Sequence, residues 1–229
     1  MINNKRYAIA AAAGIVALLA TAVVRADNGM YATAQTDDGS WEVRLRGVYL
    51  YPRNDSQNYV PLAIPENAVH IEHKWLPDID IEYHFTPTWS SELVLTYPQT
   101  QHVTLEHSAL GGPTELGSFK HLPPVLTLKY NFNPDGTFRP YVGAGVNWTL
   151  IFDTNLNVPT VGALTLDNHS IGPAVQAGFD WKLKDHWYLN MDVKWVQLHS
   201  GLYYLGQKTI ELQIDPWLFG VGVGYRFNL

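Results

Sequence analysis

Three short segments of the chain set histidine beside serine: His107-Ser108, His169-Ser170 two residues after Asp167, and His199-Ser200. Nucleophile, base and orienting acid are drawn from these residue types. Neighbours along one chain cannot by themselves aim a hydroxyl at an imidazole, and all three segments fall in connections, where Ser and His are ordinary solvated residues. No catalytic role is expected, and an enzyme is not the expected reading. His70, Glu72 and His73 place metal-type ligands close together, but with no further ligand evident a solvated or capping role fits them better than a metal site. No cofactor is expected. The chain has 0 Cys, which excludes disulfides, thiol catalysis and Cys-ligated zinc. A net charge of -6 offers no basic stripe for nucleic acid.

A different set of ionisable residues carries a pattern. Glu42, Arg44, Arg46, Glu82, Glu92, Lys129, Arg139, Asp180, Lys182, Asp192 and Arg226 sit at alternate positions of stretches whose other positions are apolar. Charges of both signs placed this way serve one chemistry, pairing with each other in an enclosed space.

The elements that would position them are β-strands. Odd positions of 41–51 are mostly apolar or aromatic (Trp41, Val43, Leu45, Tyr49, Tyr51), and the even ones begin Glu42, Arg44, Arg46. The same two-residue period recurs over 79–85, 89–97, 122–132, 138–152, 175–183, 187–195 and 217–227. A soluble antiparallel barrel also alternates. Here, however, the apolar face carries aromatics at the strand ends, as interfacial girdles require, and the opposite face carries charge and glycine. The polar face must therefore be inside and the apolar face in lipid. Closure follows, because a sheet edge cannot be left open in hydrocarbon. The expected fold is all-β, an eight-stranded antiparallel transmembrane β-barrel of the outer-membrane type.

The rest of the 229 residues agrees. Hydrophobic residues make up 46%, yet the mean hydropathy is -0.11, so apolar content is dispersed rather than gathered into helical spans. The exception is at the start, where Lys5 and Arg6 precede the apolar run Ala8 to Val24 and small residues follow near Ala26. This describes a signal peptide over 1–26, with one barrel domain over 27–229. Short turns at 86–88, 133–136 and 184–186 alternate with long connections near 52–78, 98–121, 153–170 and 198–209. That alternation predicts a bacterial outer-membrane protein, with both termini and the short turns periplasmic and the long loops outside.

His121-Leu122-Pro123-Pro124, Phe138-Arg139-Pro140-Tyr141-Val142-Gly143-Ala144-Gly145 and Asp215-Pro216-Trp217, followed by Gly224-Tyr225-Arg226-Phe227, resemble the outer-membrane protein W (OmpW) family, which includes the alkane-uptake protein AlkL. The resemblance covers nearly all of the mature chain. It implies an eight-stranded barrel whose lumen holds a hydrophobic pocket, and passage of small apolar molecules from outside into the membrane. Gly222, Tyr225 and Phe227 are what the barrel-assembly machinery would read, although Asn228-Leu229 extend past the terminal aromatic usual in the family. The connections match the family poorly, so substrate preference does not carry over.

Eight strands leave an interior about filled by side chains, which speaks against an open aqueous pore. Sorting inward residues by height puts the eleven charges above toward the periplasmic end, as an ionic plug. Val48, Leu50, Val94, Val125, Ala174 and Val196, with Leu212 and Ile214 on the eighth strand, fall toward the outside as an apolar pocket. A small hydrophobe bound there would exit sideways, because the ions beneath bar its way. Pro123, Pro124, Pro173 and Pro216 lie near the outer strand ends, where each removes a ladder donor. They open the wall locally or merely end strands; the sequence leaves both readings standing. The pocket likewise reads as a ligand site or as a packed core. The expected partners are outer-membrane lipid and small hydrophobic molecules, and the expected state is a monomer. The competing function is a structural or receptor barrel contacted through its loops, without transport.

Overall fold

The computed structural model describes residues 39–58, 65–106, 113–158 and 162–228. The segment read as a signal peptide, 1–26, and the pair His107-Ser108 lie outside the described residues.

Eight strands form the wall: β1 (Ser40–Tyr51), β2 (Lys74–His84), β3 (Trp89–Thr96), β4 (Val125–Asn131), β5 (Phe138–Val158), β6 (His169–Lys184), β7 (Trp187–Val196) and β8 (Trp217–Asn228). Each pairs antiparallel with its sequence neighbour in the wall, and β8 returns to β1 from Ser40↔Asn228 to Tyr51↔Trp217, closing the barrel.

Side-chain parity sorts the two faces. Along β1, Ser40, Glu42, Arg44, Arg46, Val48 and Leu50 are buried, whereas Leu45 is 64% exposed. The outward residues form an apolar band bounded by rings. At the short-turn rim, Trp41 packs on Tyr83 at 4.8 Å, Trp89 on Tyr130 at 5.0 Å and Trp187 on Tyr225 at 5.0 Å. At the other end, Tyr49 lies 5.4 Å from Trp75, and Trp217 pairs in register with Tyr51 on one side and Trp195 on the other. Trp187 to Trp195 is one stretch of strand of the length, about 9–11 residues, with which a tilted strand crosses the hydrocarbon core.

The turns are built by side chains suited to them. Thr86 Oγ accepts from the Trp89 backbone N–H at 3.0 Å, and the Gly136 N–H donates to the Asn133 carbonyl at 3.2 Å. Asp185 takes φ 47 to reverse the chain between β6 and β7.

Three features depart from the sequence reading. First, β2 begins at Lys74 rather than at Ile79, because Leu76 and Asp78 continue the inward parity through Pro77. Second, the stretch 122–132 is not one strand. Pro123-Pro124 break it, so Thr114–Leu122 belongs to a ribbon above the wall and β4 starts at Val125.

Third, the long connections at that end are largely strands. Gln99–Leu105 pairs with Thr114–Leu122, which lies against the outer half of β5. His199–Tyr204 pairs with Gln207–Gln213 through a turn at Leu205 (φ 48) and Gly206 (φ 79). Gly162–Leu166 bridges β5 and His199–Tyr204. Asp153 (φ 50) reverses the parity of β5, turning Leu156 and Val158 inward with Ile151 below them. These ribbons enclose a second apolar core that includes Ala68, Val69, Ile71, Phe119 and Leu156. Leu212 belongs to it. The expectation that Leu212 and Ile214 lie on the eighth strand is corrected, since Asp215 (φ 32) and Pro216 separate both from β8.

Close approach of β4 and β5 depends on glycine at one point. A Cβ on Gly145 would stand 1.9 Å from the Leu126 carbonyl oxygen and 2.6 Å from Thr127 Cα, both backbone atoms that cannot step aside. Gly145→Val is expected to destabilise the barrel by about 1–3 kcal/mol through overpacking, read as a lower urea midpoint in lipid vesicles and less of the compact band on unheated gels. Ala144→Val, on the exposed face, leaves both unchanged.

Candidate functional site

The lumen nearer the short turns is filled by an ion network. Arg44, 0% exposed, donates to Glu42 at 2.7 Å, Glu92 at 3.1 Å and Asp180 at 3.2 Å, and also contacts Glu82. Lys129 reaches Glu82 at 2.7 Å and Glu92 at 3.1 Å, and Lys194 reaches Glu92 at 2.8 Å. Arg226 holds Glu42 at 2.7 Å. One level higher, Arg46 grips Asp78 with two bonds of 3.0 Å and reaches Asp192 at 3.1 Å.

The wall makes room for these side chains. Gly222 lies opposite Arg46 and Gly224 opposite Arg44 on β8, and a Cβ on Gly222 would stand 2.4 Å from Arg46 Cγ. Arg139 and Arg226 lie over the Tyr188 ring at 5.1 Å and 4.5 Å, and Lys129 over Tyr141 at 3.7 Å. Charges this buried are tolerable because each has partners; removing one partner strands the others.

Ten of the eleven charges singled out in the sequence lie inside. Lys182 does not: it is exposed at the rim, one residue past Trp181↔Phe138, the last rung between β6 and β5. Three members escaped the sequence reading, namely Asp78, Asp80 and Lys194. Their signal was the same parity; Asp78 and Asp80 stand directly across from Arg46 and Arg44 on β2.

Above the ions lies a cavity of about 60 Å³, on a scale where ~10–15 Å³ holds one water. Its floor is Arg46, Asp78, Asp192 and Lys194. Val48, Leu50, Val94, Val125, Val196 and Leu218 form an apolar belt. Ile71, Phe119, Leu198 and Ile214 from the ribbons form the upper end, together with Gln101 and His121. Of the expected pocket residues, Ala174 is buried behind the belt against Val94, Val125 and Val196, and Leu212 sits in the ribbon core; neither lines the space.

The four prolines fare differently. The Pro124 carbonyl accepts from Trp148 N–H at 3.0 Å, Pro173 from Gln197 at 3.0 Å and Pro216 from Val196 at 3.2 Å, so backbone bonding continues through all three. The seam between β3 and β4 is another matter. Its last rung is Val94↔Val125, and pairing resumes only in the ribbon at Gln99↔His121. Leu95–Pro98 thus faces Leu122–Pro124 across a stretch without rungs, and Thr96 and Pro123 line the cavity there.

Of the two described histidine–serine pairs, His169-Ser170 opens β6 and His199-Ser200 begins a ribbon strand. His199 Nε2 lies 3.2 Å from Asp215, but Ser170 Oγ accepts from the His199 backbone N–H at 3.1 Å instead of meeting the ring. Asp167 accepts from Gly201 N–H at 2.6 Å and Tyr203 O–H at 2.9 Å, pinning one ribbon to the next. The His73 ring packs on Tyr51 at 4.5 Å, and His70 lies 3.2 Å from the Asn54 amide. Among the described residues no three His, Cys, Asp or Glu converge as metal ligands.

Comparison with known proteins places this architecture. The family model described as "OmpW family" matches residues 37–227. The chain is 33% identical to outer membrane protein W of Vibrio cholerae over 198 residues, 83% of this chain and 89% of that one. It is 30% identical to the dibenzothiophene metabolism operon protein PahQ of Pseudomonas aeruginosa, over 65% of this chain and 69% of that one. Among solved structures, the outer membrane protein OprG of Pseudomonas aeruginosa superposes with a TM-score of 0.71 at 26% identity, covering 84% of this chain and 97% of that one.

Two outcomes follow from the charges. Arg44→Met should cost about 3–5 kcal/mol in urea unfolding from vesicles, because Glu42, Glu82, Glu92 and Asp180 lose their shared cation; Lys182→Ala should stay within about 0.5 kcal/mol.

His121, in the ribbon above the wall, is pushed down from 6.5 to about 4 by burial, with Lys74 nearby adding to the effect. Its folded form resists the proton that its unfolded form accepts. Stability is therefore complete above pH 6.5 and declines as pH falls toward 4. From this group alone, the drop between pH 7.5 and pH 5 is on the order of 2 kcal/mol, and His121→Leu should remove that part of the slope.

Proposed function

The chain belongs to the OmpW family of outer-membrane barrels, and from that premise we propose that it takes up small hydrophobic molecules through the lumen cavity and releases them sideways into the membrane. The ribbons face the outside and the short turns the periplasm. A ligand enters among the ribbons and settles in the belt of Val48, Leu50, Val94, Val125, Val196 and Leu218. An aromatic molecule presenting ~150–250 Å² of surface gains about 4–6 kcal/mol there, a millimolar to tens-of-micromolar affinity. Such weak binding suits passage, since the molecule must also leave. One relative is named for an operon of dibenzothiophene metabolism, and dibenzothiophene is a flat aromatic of that apolar kind.

Beneath the belt, Arg46 with Asp78 and Lys194 with Glu92 form a plug. An apolar molecule passing it would have to break these pairs without replacing them, at several kcal/mol for each buried ion. The cheaper route is the wall. The observation that carries the reading is the coincidence of the cavity with the rung-free stretch at Pro123-Pro124, where strands can part without losing backbone hydrogen bonds.

The test is uptake of a radiolabelled apolar aromatic by cells whose own proteins of this family have been removed. Val94→Trp, which fills the belt, should lower uptake roughly tenfold, the equivalent of ~1.4 kcal/mol of lost binding. Leu205→Trp, 84% exposed at a ribbon tip, should not. Pro123→Ala with Pro124→Ala restores two donors to the seam and should slow release while sparing binding. Unchanged uptake with a folded Val94→Trp barrel would sink the proposal and favour a receptor role for the ribbons.

A further inference from the structure

The upper end of the cavity is not apolar throughout. Gln101 is 2% exposed and His121 5%, and both line the space. The Gln101 amide has no hydrogen-bond partner for either its nitrogen or its oxygen; His121 Nδ1 and Thr96 Oγ are likewise without one. Gln101 pairs in register with Phe119 and His121 with Gln99, so Gln101 and His121 are diagonal neighbours on one face of the ribbon. Thr96 enters the same space from the open end of β3, beside the seam.

The large majority of buried side-chain polar atoms find a partner, and leaving them bare is costly; here four such atoms converge on one cavity. The floor of the cavity poses a contrast. Its cations and carboxylates are engaged with each other, so it offers a ligand no spare charge. Lys74, whose charge acts on His121, is bound to the Thr100 carbonyl and lies 3.7 Å from Glu72.

We propose that Gln101, His121 and Thr96 form a recognition site for one neutral hydrogen-bonding group, so that the preferred ligand is a hydrophobic molecule bearing a hydroxyl or carbonyl rather than a bare hydrocarbon. This rests on the uptake reading above and narrows its substrate class. The apolar body lies in the belt and the oxygen points up to the ribbon. A carboxamide both donates and accepts, as do a neutral imidazole and a hydroxyl, so the set answers an alcohol in either sense and a ketone as donors. A charged head group is disfavoured: an ammonium would meet no free carboxylate and a carboxylate no free cation, each after losing its water. A site built to bond an oxygen discriminates against the analogue without it, because its own polar groups are then left unpaired.

The experiment compares cyclohexanol with cyclohexane, nearly equal in shape, binding to the full barrel in lipid nanodiscs, with empty nanodiscs subtracted. Gln101→Leu and His121→Leu should each weaken cyclohexanol about 3- to 10-fold, the range for one buried hydrogen bond, and leave cyclohexane unchanged or tighter. Retained cyclohexane binding reports an intact fold and cavity in each variant. Equal weakening of both ligands, or no change in either, means that the polar end is shaped for packing or served by water, and the inference is overturned while the uptake reading stands. Should the wild-type protein bind neither ligand above the empty nanodiscs, the cavity reading itself fails and this inference goes with it.

Discussion

A strand placed in hydrocarbon finds no water for its amides and carbonyls, so every one of them needs a neighbouring strand. The rest of this structure depends on that constraint. It forces β8 back onto β1 and sends alternate side chains into a narrow tube. With eight strands the tube is too slim for a water column, so the charges it encloses must satisfy each other. Arg44 meets five carboxylates for this reason, and β8 carries Gly222 and Gly224 where the arginines need room. Plug and wall are thus two consequences of one accounting of polar groups.

The same constraint explains why a break in the ladder matters. Pro124, Pro173 and Pro216 still accept through their carbonyls, and the wall continues past them. Between Val94↔Val125 and Gln99↔His121 it does not. That stretch sits at the upper edge of the barrel, beside the cavity and below the ribbons.

Alternation makes the wall legible in the residues themselves. Each of the eight strands has an apolar face whose period of two admits a single sorting into inside and outside, and the glycine and charge on the other face settle which is which. The ionic lumen is legible in part. Asp80 and Lys194 carry the right parity, yet only the register reveals that Asp78 and Asp80 face Arg46 and Arg44. Lys182 has the right parity and the wrong place, because it lies past the last rung between β6 and β5, and where a strand leaves the wall is not written in a pattern of hydropathy.

The ribbons are least legible. Asp153, Asp215 and Leu205 adopt positive φ, and each redirects a strand by a local choice that alternation does not encode. Leu212 and Val196 are equally apolar, but one is in the ribbon core and the other in the cavity belt. By itself the sequence determined that this chain closes into a barrel with ions within and apolar residues without, because a two-residue period and the demands of hydrocarbon leave no other arrangement. Tertiary structure alone decided where the ions stop, where the wall lacks rungs and which polar side chains stand bare above the belt. Those depend on register and on contacts between residues far apart in the chain, which no local pattern carries.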